Sequence, residues 1–392
     1  MVDESGYIKK VRLVEVEVPY NVPFQISGGV SYARKSIIIE LHGEDGVGYG
    51  ESAPFEAPFY SPETISTVKA VLTECLIPRI VGESFDSIEE FNERINENVR
   101  GNEFAKAGIE TAYWDFIAKK NELPLQSLIR EKLVDLHTPG KFLQTHTRVP
   151  CGASVGIPED ESLSTLVEWV NDLVNRGYNR IKIKIRPGWD LKAVKAVRKA
   201  IGDDFPFWVD ANSSFTYPDH LQLFKEMDKY NCLFIEQPLE HNDILDHEKL
   251  ARRIDTPICF DESLTSLRVA KQVVEREVSR IWNIKIQRVG GLLEAIRIYD
   301  FAVRNRVKLW GGYMPETGIG ARYILGLGCF NGFTYSTDVN PSVRWFKPDQ
   351  DLIEVEMDDE GQIYVGDEAG IGQINERGYG ENGKVFYESP AK

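Results

Sequence analysis

Histidine is scarce in this 392-residue chain. His42, His137, His146, His220, His241 and His247 are all there are, and none closes one of the short apolar runs of the second half. That excludes a histidine base at those positions and leaves a serine nucleophile without the imidazole that would take its proton. Cysteine is sparse too. Cys75, Cys151, Cys232, Cys259 and Cys329 are odd in number and lack C-x-x-C spacing, so they read as free thiols packed as small hydrophobes in a reducing cytoplasm. No run approaches the roughly 18 apolar residues of a membrane span. Met1-Val-Asp-Glu-Ser5 shows neither the charged nor the apolar region of a secretory leader. Positive charge is in deficit: a net charge of −15 disfavours nucleic acid and anionic membrane as partners.

What the chain does have is a repeated pattern in its second half. Arg180-Ile-Lys-Ile-Lys-Ile185 puts Lys182 and Lys184 on one face of a strand and the isoleucines on the other. Alone, this is the pattern of an edge strand with its lysines in water. Four further runs change that reading: Phe207-Trp-Val-Asp-Ala211, Leu233-Phe-Ile-Glu-Gln237, Ile258-Cys-Phe-Asp-Glu262 and Ile281-Trp-Asn-Ile-Lys-Ile286. Lys184, Asp210, Glu236, Asp261 and Lys285 follow one another at 26, 26, 25 and 24 residues, the length of one strand plus one crossover helix. A charge inside a buried parallel strand is costly unless paired or metal-bound. In a (β/α) barrel the C-terminal strand ends are where active sites are built.

The remaining elements fit an α/β barrel with an accessory domain. Residues 7–20, Ser36–His42 and Gly46–Glu51 predict a small antiparallel sheet whose last two strands form a hairpin. Residues 24–32 predict a mobile glycine- and serine-rich loop. Residues 52–62 predict a stiffer, proline-rich loop whose Phe55, Phe59 and Tyr60 either cover a ligand or pack on their own domain. Helical periodicity covers 62–76, 87–98, 103–121 and 124–132. It then alternates with the charged strands at 160–177, 190–201, 217–229, 243–253, 265–277 and 290–304. Pro150–Ser154 is the first barrel strand, Val307–Gly312 the seventh, and Phe333–Val339 closes the sheet or replaces its last unit.

Asp210, Glu236 and Asp261, with no His or Cys beside them, make an all-oxygen set that favours Mg²⁺ or Mn²⁺ over Zn²⁺. Without a metal, carboxylates this close repel and one protonates. Lys182 and Lys184 stand about 6–7 Å apart on their strand. Their repulsion at an effective dielectric of about 20 is about 2.5 kcal/mol, which is expected to bring one amine towards neutrality. Lys184 is the expected base and Lys182 its tuner. Lys285, four strands further round, approaches from the opposite side. Two amines facing each other across a metal-bound carboxylate suit removal and return of an α-proton through an enediolate.

These residues resemble the enolase superfamily, whose lysine-type members use a Lys base with Mg²⁺, and the Lys-x-Lys strand matches its muconate-lactonising branch. Val209-Asp-Ala-Asn212, Ile235-Glu-Gln-Pro-Leu-Glu240, Thr256-Pro-Ile-Cys-Phe-Asp-Glu-Ser263, Asn283-Ile-Lys285 with Arg288-Val-Gly-Gly291, and Glu316-Thr-Gly318 are similar to the o-succinylbenzoate synthase / N-succinylamino acid racemase family. The resemblance runs to about residue 346. It implies an α+β capping domain over 1–135, a (β/α)7β TIM-type barrel over 136–342, and a segment 343–392 that returns to the capping domain. It implies one divalent metal on Asp210, Glu236 and Asp261, and a small-molecule carboxylate substrate. In the synthase reaction of menaquinone biosynthesis Lys184 takes the proton, water leaves and Lys285 stabilises the enediolate. In the racemase reaction both lysines are bases. Arg288 would tune Lys285. Ser154, Tyr60, Met314, Glu316 and the 24–32 loop fall where the family contacts substrate, and Asn212 and Glu262 would be supports behind the metal and lysines. A homo-oligomer is compatible with the resemblance and argued by no residue.

Two departures touch the substrate end. The family's Gly-Gly-Met reads Gly312-Tyr313-Met314, and its Asp-x-Ser-x-Ser reads Asp338-Val-Asn-Pro-Ser342. The nearest alternatives are a dipeptide epimerase or a muconate cycloisomerase. Epimerases typically carry an Asp-x-Asp pair where Ser336-Thr-Asp-Val339 offers one acid. A different class, a Schiff-base aldolase, would trap with borohydride and need no metal.

Overall fold

Long alternating apolar stretches near the N-terminus build an antiparallel sheet. In the computed structural model, which describes residues 2–26 and 29–391 and, of these, the side chains outside residues 22–30, the sheet comprises Lys10–Ile26 (β1), Gly29–His42 (β2) and Val47–Ser52 (β3). The C-terminal strand Gly383–Glu388 pairs with the free edge of β1. Part of the stretch 24–32, expected as a loop, continues the ladder: Phe24 pairs with Ser31, Gln25 with Val30 and Ile26 with Gly29. Of the substrate contacts expected of that stretch, those on side chains 24–30 lie outside the described residues; Ser31 Oγ donates to Ala33 O (2.9 Å) and Tyr32 is exposed.

Val11, Leu13, Ile37 and Ile39 are fully buried in this sheet, which packs on the helix Glu103–Lys120 (α1). Its residues Phe104–Ala118 are all buried, because the sheet covers one side and the rest of the molecule the other. The approach is close enough to demand glycine: a Cβ at Gly50 would sit 1.9 Å from the carbonyl oxygen of Gly108.

The charged runs form one parallel sheet of seven strands: Ala153–Val155 (β4), Ile181–Lys184 (β5), Phe207–Asp210 (β6), Ile235–Glu236 (β7), Ile258–Phe260 (β8), Ile281–Ile284 (β9) and Lys308–Gly311 (β10). Residues 333–339 close it. Leu309 bridges to Phe333 and Cys151 to Thr337, both parallel, so the result is a (β/α)7β barrel with a capping sheet on its N-terminal side in sequence. The expected helices appear, most of them shortened at their ends, whereas the one expected over 124–132 runs on as Leu125–Asp135; Ser162 and Ser266 accept from the backbone N–H three residues on at two N-termini.

One barrel helix escaped sequence reading, Gly318–Gly328 (α2). Glycine costs about 1 kcal/mol in a helix interior, and apart from Arg322 the segment is apolar all round, so no stripe marks it. Tertiary partners make it instead. Glu51 of β3 accepts from the N–H groups of Thr317 and Gly320, and Asp351 from that of Gly318. A second clamp joins cap to barrel: the Glu110 carboxylate of α1 accepts from the N–H groups of Leu292 (2.7 Å) and Leu293 (3.0 Å), at the start of Leu292–Arg304. Among the described residues no helix is long and apolar enough to cross a membrane.

Candidate active site

Strand register decides which charges meet. Lys184 of β5 is the direct neighbour of Asp210 on β6, and Asp210 of Glu236 on β7. Asp261 and Lys285 lie immediately past the ends of β8 and β9. Nearer the strand starts, Trp208, Phe234 and Trp310 fill the barrel interior with Cys259 and Ile281. The charged layer therefore stands on an apolar floor, and its electrostatics operate at low dielectric.

One ligand oxygen each from Asp210, Glu236 and Asp261 lies within 4.8 Å of the others, and all three residues are buried. Burial, the Asp210 charge and that of Asp261 push the Glu236 carboxyl up to about 8. Burial raises Asp261 as well, but Lys285 and Arg288 outweigh it and hold that carboxyl well below the ordinary range. An all-oxygen donor set this compact fits a hard divalent cation. The neighbouring amines otherwise answer its charge.

The sequence-predicted lysines converge here. Lys182 Nζ lies 2.7 Å from Asp338 Oδ2, 3.2 Å from Glu236 Oε2 and 3.5 Å from Asp210 Oδ2. Lys184 Nζ donates to Asp210 Oδ2 (2.6 Å) and Asn212 Oδ1 (2.7 Å). Across the site Lys285 Nζ donates to Asp261 Oδ2 (2.9 Å) and the Tyr60 hydroxyl (2.8 Å). Lys184 keeps 35% of its side chain exposed, Lys285 only 9%.

The expected depression of the Lys184 pKa is not what this arrangement produces. Burial and the charge of Lys182 do push the Lys184 amine down, but Asp210, Glu236 and the hydrogen bond to Asp210 outweigh them, so its pKa is raised. Lys182 is raised further, because Asp338, Glu236 and Asp210 overcome its burial. Proximity of two amines decides little when each has a closer carboxylate.

Other predicted residues sort by contact. Tyr60 reaches from the cap to Asp261 (3.1 Å) as well as to Lys285, whereas Phe55 and Phe59 pack on each other at 4.9 Å between centroids. Arg288 donates to Asp261, to Leu264 O (3.0 Å) and to Asn283 O (2.6 Å), so it shares a carboxylate with Lys285. Asn212 donates to Glu262 Oε1 at 2.8 Å. Ser154 Oγ donates to Asp338 Oδ1 at 2.9 Å. Met314 is buried, and Glu316 is buried with one carboxyl oxygen that has no hydrogen-bond partner among the described residues. Tyr313 is braced by Trp345, whose indole N–H donates to its hydroxyl at 2.8 Å.

Three residues of the network went unassigned from sequence. Asn283 donates to Glu236 Oε1 (3.3 Å) and Asp261 Oδ1 (3.0 Å); its signal was available, since it shares a strand face with Lys285. Asp338 and Arg180 form a buried pair at 2.8 Å beneath Lys182. Only barrel closure brings them together.

Residues 8–130 match the family described as Mandelate racemase / muconate lactonizing enzyme, N-terminal domain, and residues 165–376 match Enolase C-terminal domain-like. The o-succinylbenzoate synthase of Bacillus subtilis (strain 168) is 36% identical, with 94% of this chain and 95% of that protein aligned. The chain belongs to the enolase superfamily. Within it, this member is also 34% identical to the N-succinylamino acid racemase of Thermus thermophilus, over 93% of this chain and 94% of that one, and it sits in the family these two names define. A solved structure of an enolase-superfamily member from Listeria innocua superposes with a TM-score of 0.88 at 32% identity, covering 98% of this chain and 99% of that one. The likeness thus spans both cap and barrel.

Proposed function

We propose that this enolase-superfamily member is a cytoplasmic enzyme that removes the proton α to a carboxylate, catalysing o-succinylbenzoate synthesis, N-succinylamino acid racemisation, or both. The observation that carries this reading is the pair of amines, Lys184 and Lys285, entering from opposite sides of a buried carboxylate triad. Lys184 takes the α-proton from one face. Lys285 steadies the developing charge in the dehydration and serves as the second base in the racemisation. Asp210, Glu236 and Asp261 would hold Mg²⁺, or Mn²⁺ in its place. When bound, that cation supplies positive charge beside the substrate carboxylate, where negative charge builds. With Asp210 and Glu236 so engaged, less of their negative charge would act on Lys184, where both now raise the pKa. Lys182, tied to Asp338, stays charged and adds to the field. Ser154, Tyr313, Met314 and Glu316 line the substrate end, and Tyr60 closes it from the cap.

The test is α-proton exchange in D₂O with Mg²⁺, followed by NMR and chiral analysis over a panel of N-succinyl amino acids. Exchange with inversion establishes racemisation. No exchange, with turnover of the cyclohexadiene precursor of o-succinylbenzoate, makes the enzyme a dedicated synthase. Inactivity on both overturns the reading.

A further inference from the structure

The two amines are anchored by different parts of the molecule. Lys285 shares its Asp261 contact with Tyr60, a residue of the cap. Lys184 is anchored within the barrel, by Asp210 and by the Asn212 amide oxygen at 2.7 Å. Asn212 is itself pinned at two points. Its backbone N–H donates to Asp210 Oδ1 (3.0 Å), with φ at 41°, and its side-chain NH₂ donates to Glu262 Oε1 (2.8 Å).

A side-chain amide has an acceptor end and a donor end. Turned over, Asn212 would point its NH₂ at an ammonium. Glu262 holds the orientation shown: its Oε1 accepts from the Asn212 NH₂ and keeps that donor end away from Lys184. The second oxygen of Glu262 is buried and has no hydrogen-bond partner among the described residues. A carboxyl group in that state is costly to fold, and among the described residues its one side-chain hydrogen bond is to the amide that aims the lysine, while Lys285 reaches it through charge alone.

We propose that Glu262 is a positioning residue for proton transfer on one face of the site: through Asn212 it aims Lys184 by a chain of hydrogen bonds that it does not extend to Lys285, which Tyr60 and Asp261 hold. This rests on reading Lys184 and Lys285 as opposed bases. A misplacement of about 1 Å at a reacting group costs on the order of 100-fold in rate, so the effect is large and one-sided.

The experiment uses the full-length, Mg²⁺-loaded enzyme and follows α-proton exchange in D₂O from each enantiomer of an N-succinylamino acid separately. The enantiomer whose exchange survives Lys285→Ala is the one served by Lys184. For it, Glu262→Leu is expected to lower kcat by about 10-fold or more, with KM and calorimetric Mg²⁺ affinity within about twofold and the other enantiomer's exchange within about threefold. Glu262→Gln retains an oxygen for Asn212 and is expected to recover most of the loss. Equal losses on both enantiomers, or none on either, overturn the proposal. If the unaltered enzyme exchanges neither enantiomer, the two-base reading fails first. The crystal structure of Glu262→Leu then decides this point by itself: Asn212 turned from Lys184 supports the assignment, and an unchanged Asn212–Lys184 contact overturns it.

Discussion

At the scale of single residues, opposed bases make a separable prediction. Lys184→Ala and Lys285→Ala each abolish racemisation, since a proton removed on one face must be returned on the other, and general-base removal costs about 10²–10⁴-fold. Circular dichroism of both variants stays native, and substantial racemisation by either removes the mechanism. A second residue reports on stability. His247 is fully buried, and burial pushes its imidazole down to about 4. Between the ordinary histidine pKa of about 6.5 and that value, the unfolded chain binds a proton that the folded one does not. The resulting stabilisation is present above pH 6.5 and is lost as pH falls from 6.5 to 4, by about 3 kcal/mol at full extent. Denaturant titrations across that window should show wild type losing stability more steeply than His247→Gln; parallel curves refute it.

Elements carry the next level. Barrel strands and amphipathic helices were legible because period 2 and period 3.6 leave residue-by-residue signatures. The helix Gly318–Gly328 left none, and it exists because Glu51 and Asp351 satisfy its N-terminal donors from outside it. The same logic governs Glu110 of α1, whose carboxyl receives two backbone N–H groups and the Trp114 indole N–H (2.7 Å). Glu110→Ala orphans those donors at about 1–3 kcal/mol each. The variant is expected to lose several kcal/mol in chemical denaturation; a loss under 1 kcal/mol would show that the clamp is dispensable. Lys184 shows the limit of element-level reasoning. Spacing along one strand predicts two repelling amines, but the neighbouring strands supply Asp210, Glu236 and Asp338, and those contacts reverse the direction of the shift.

Over the whole molecule, cap and barrel build one site. Tyr60 reaches Asp261 and Lys285 from the cap, and Gln287 Nε2 donates to the Glu51 carbonyl at 2.5 Å. A ligand that engages Asp210, Glu236 and Asp261 binds only the folded barrel, so it must stabilise it. MgCl₂ at about 100 times its Kd is expected to add about 2.7 kcal/mol, read as a rise of several degrees in Tm that EDTA reverses. Asp210→Asn should lose most of that rise. An unchanged Tm in wild type would show that no metal binds the folded protein, and a full rise retained in Asp210→Asn would place the site elsewhere.

The barrel, its repeat, the carboxylate triad and the three lysines are legible in the order of residues, because each is a local periodicity with a charge at a fixed offset. Who partners whom is settled by packing. Barrel closure brings Asp338 from the last strand beneath Lys182, and the cap carries Tyr60 to Lys285 across 225 residues of sequence separation. Burial then turns those contacts into shifted charges. Periodicity is written in the order of residues; a hydrogen bond between distant segments depends on the position of both, and that belongs to the packed molecule.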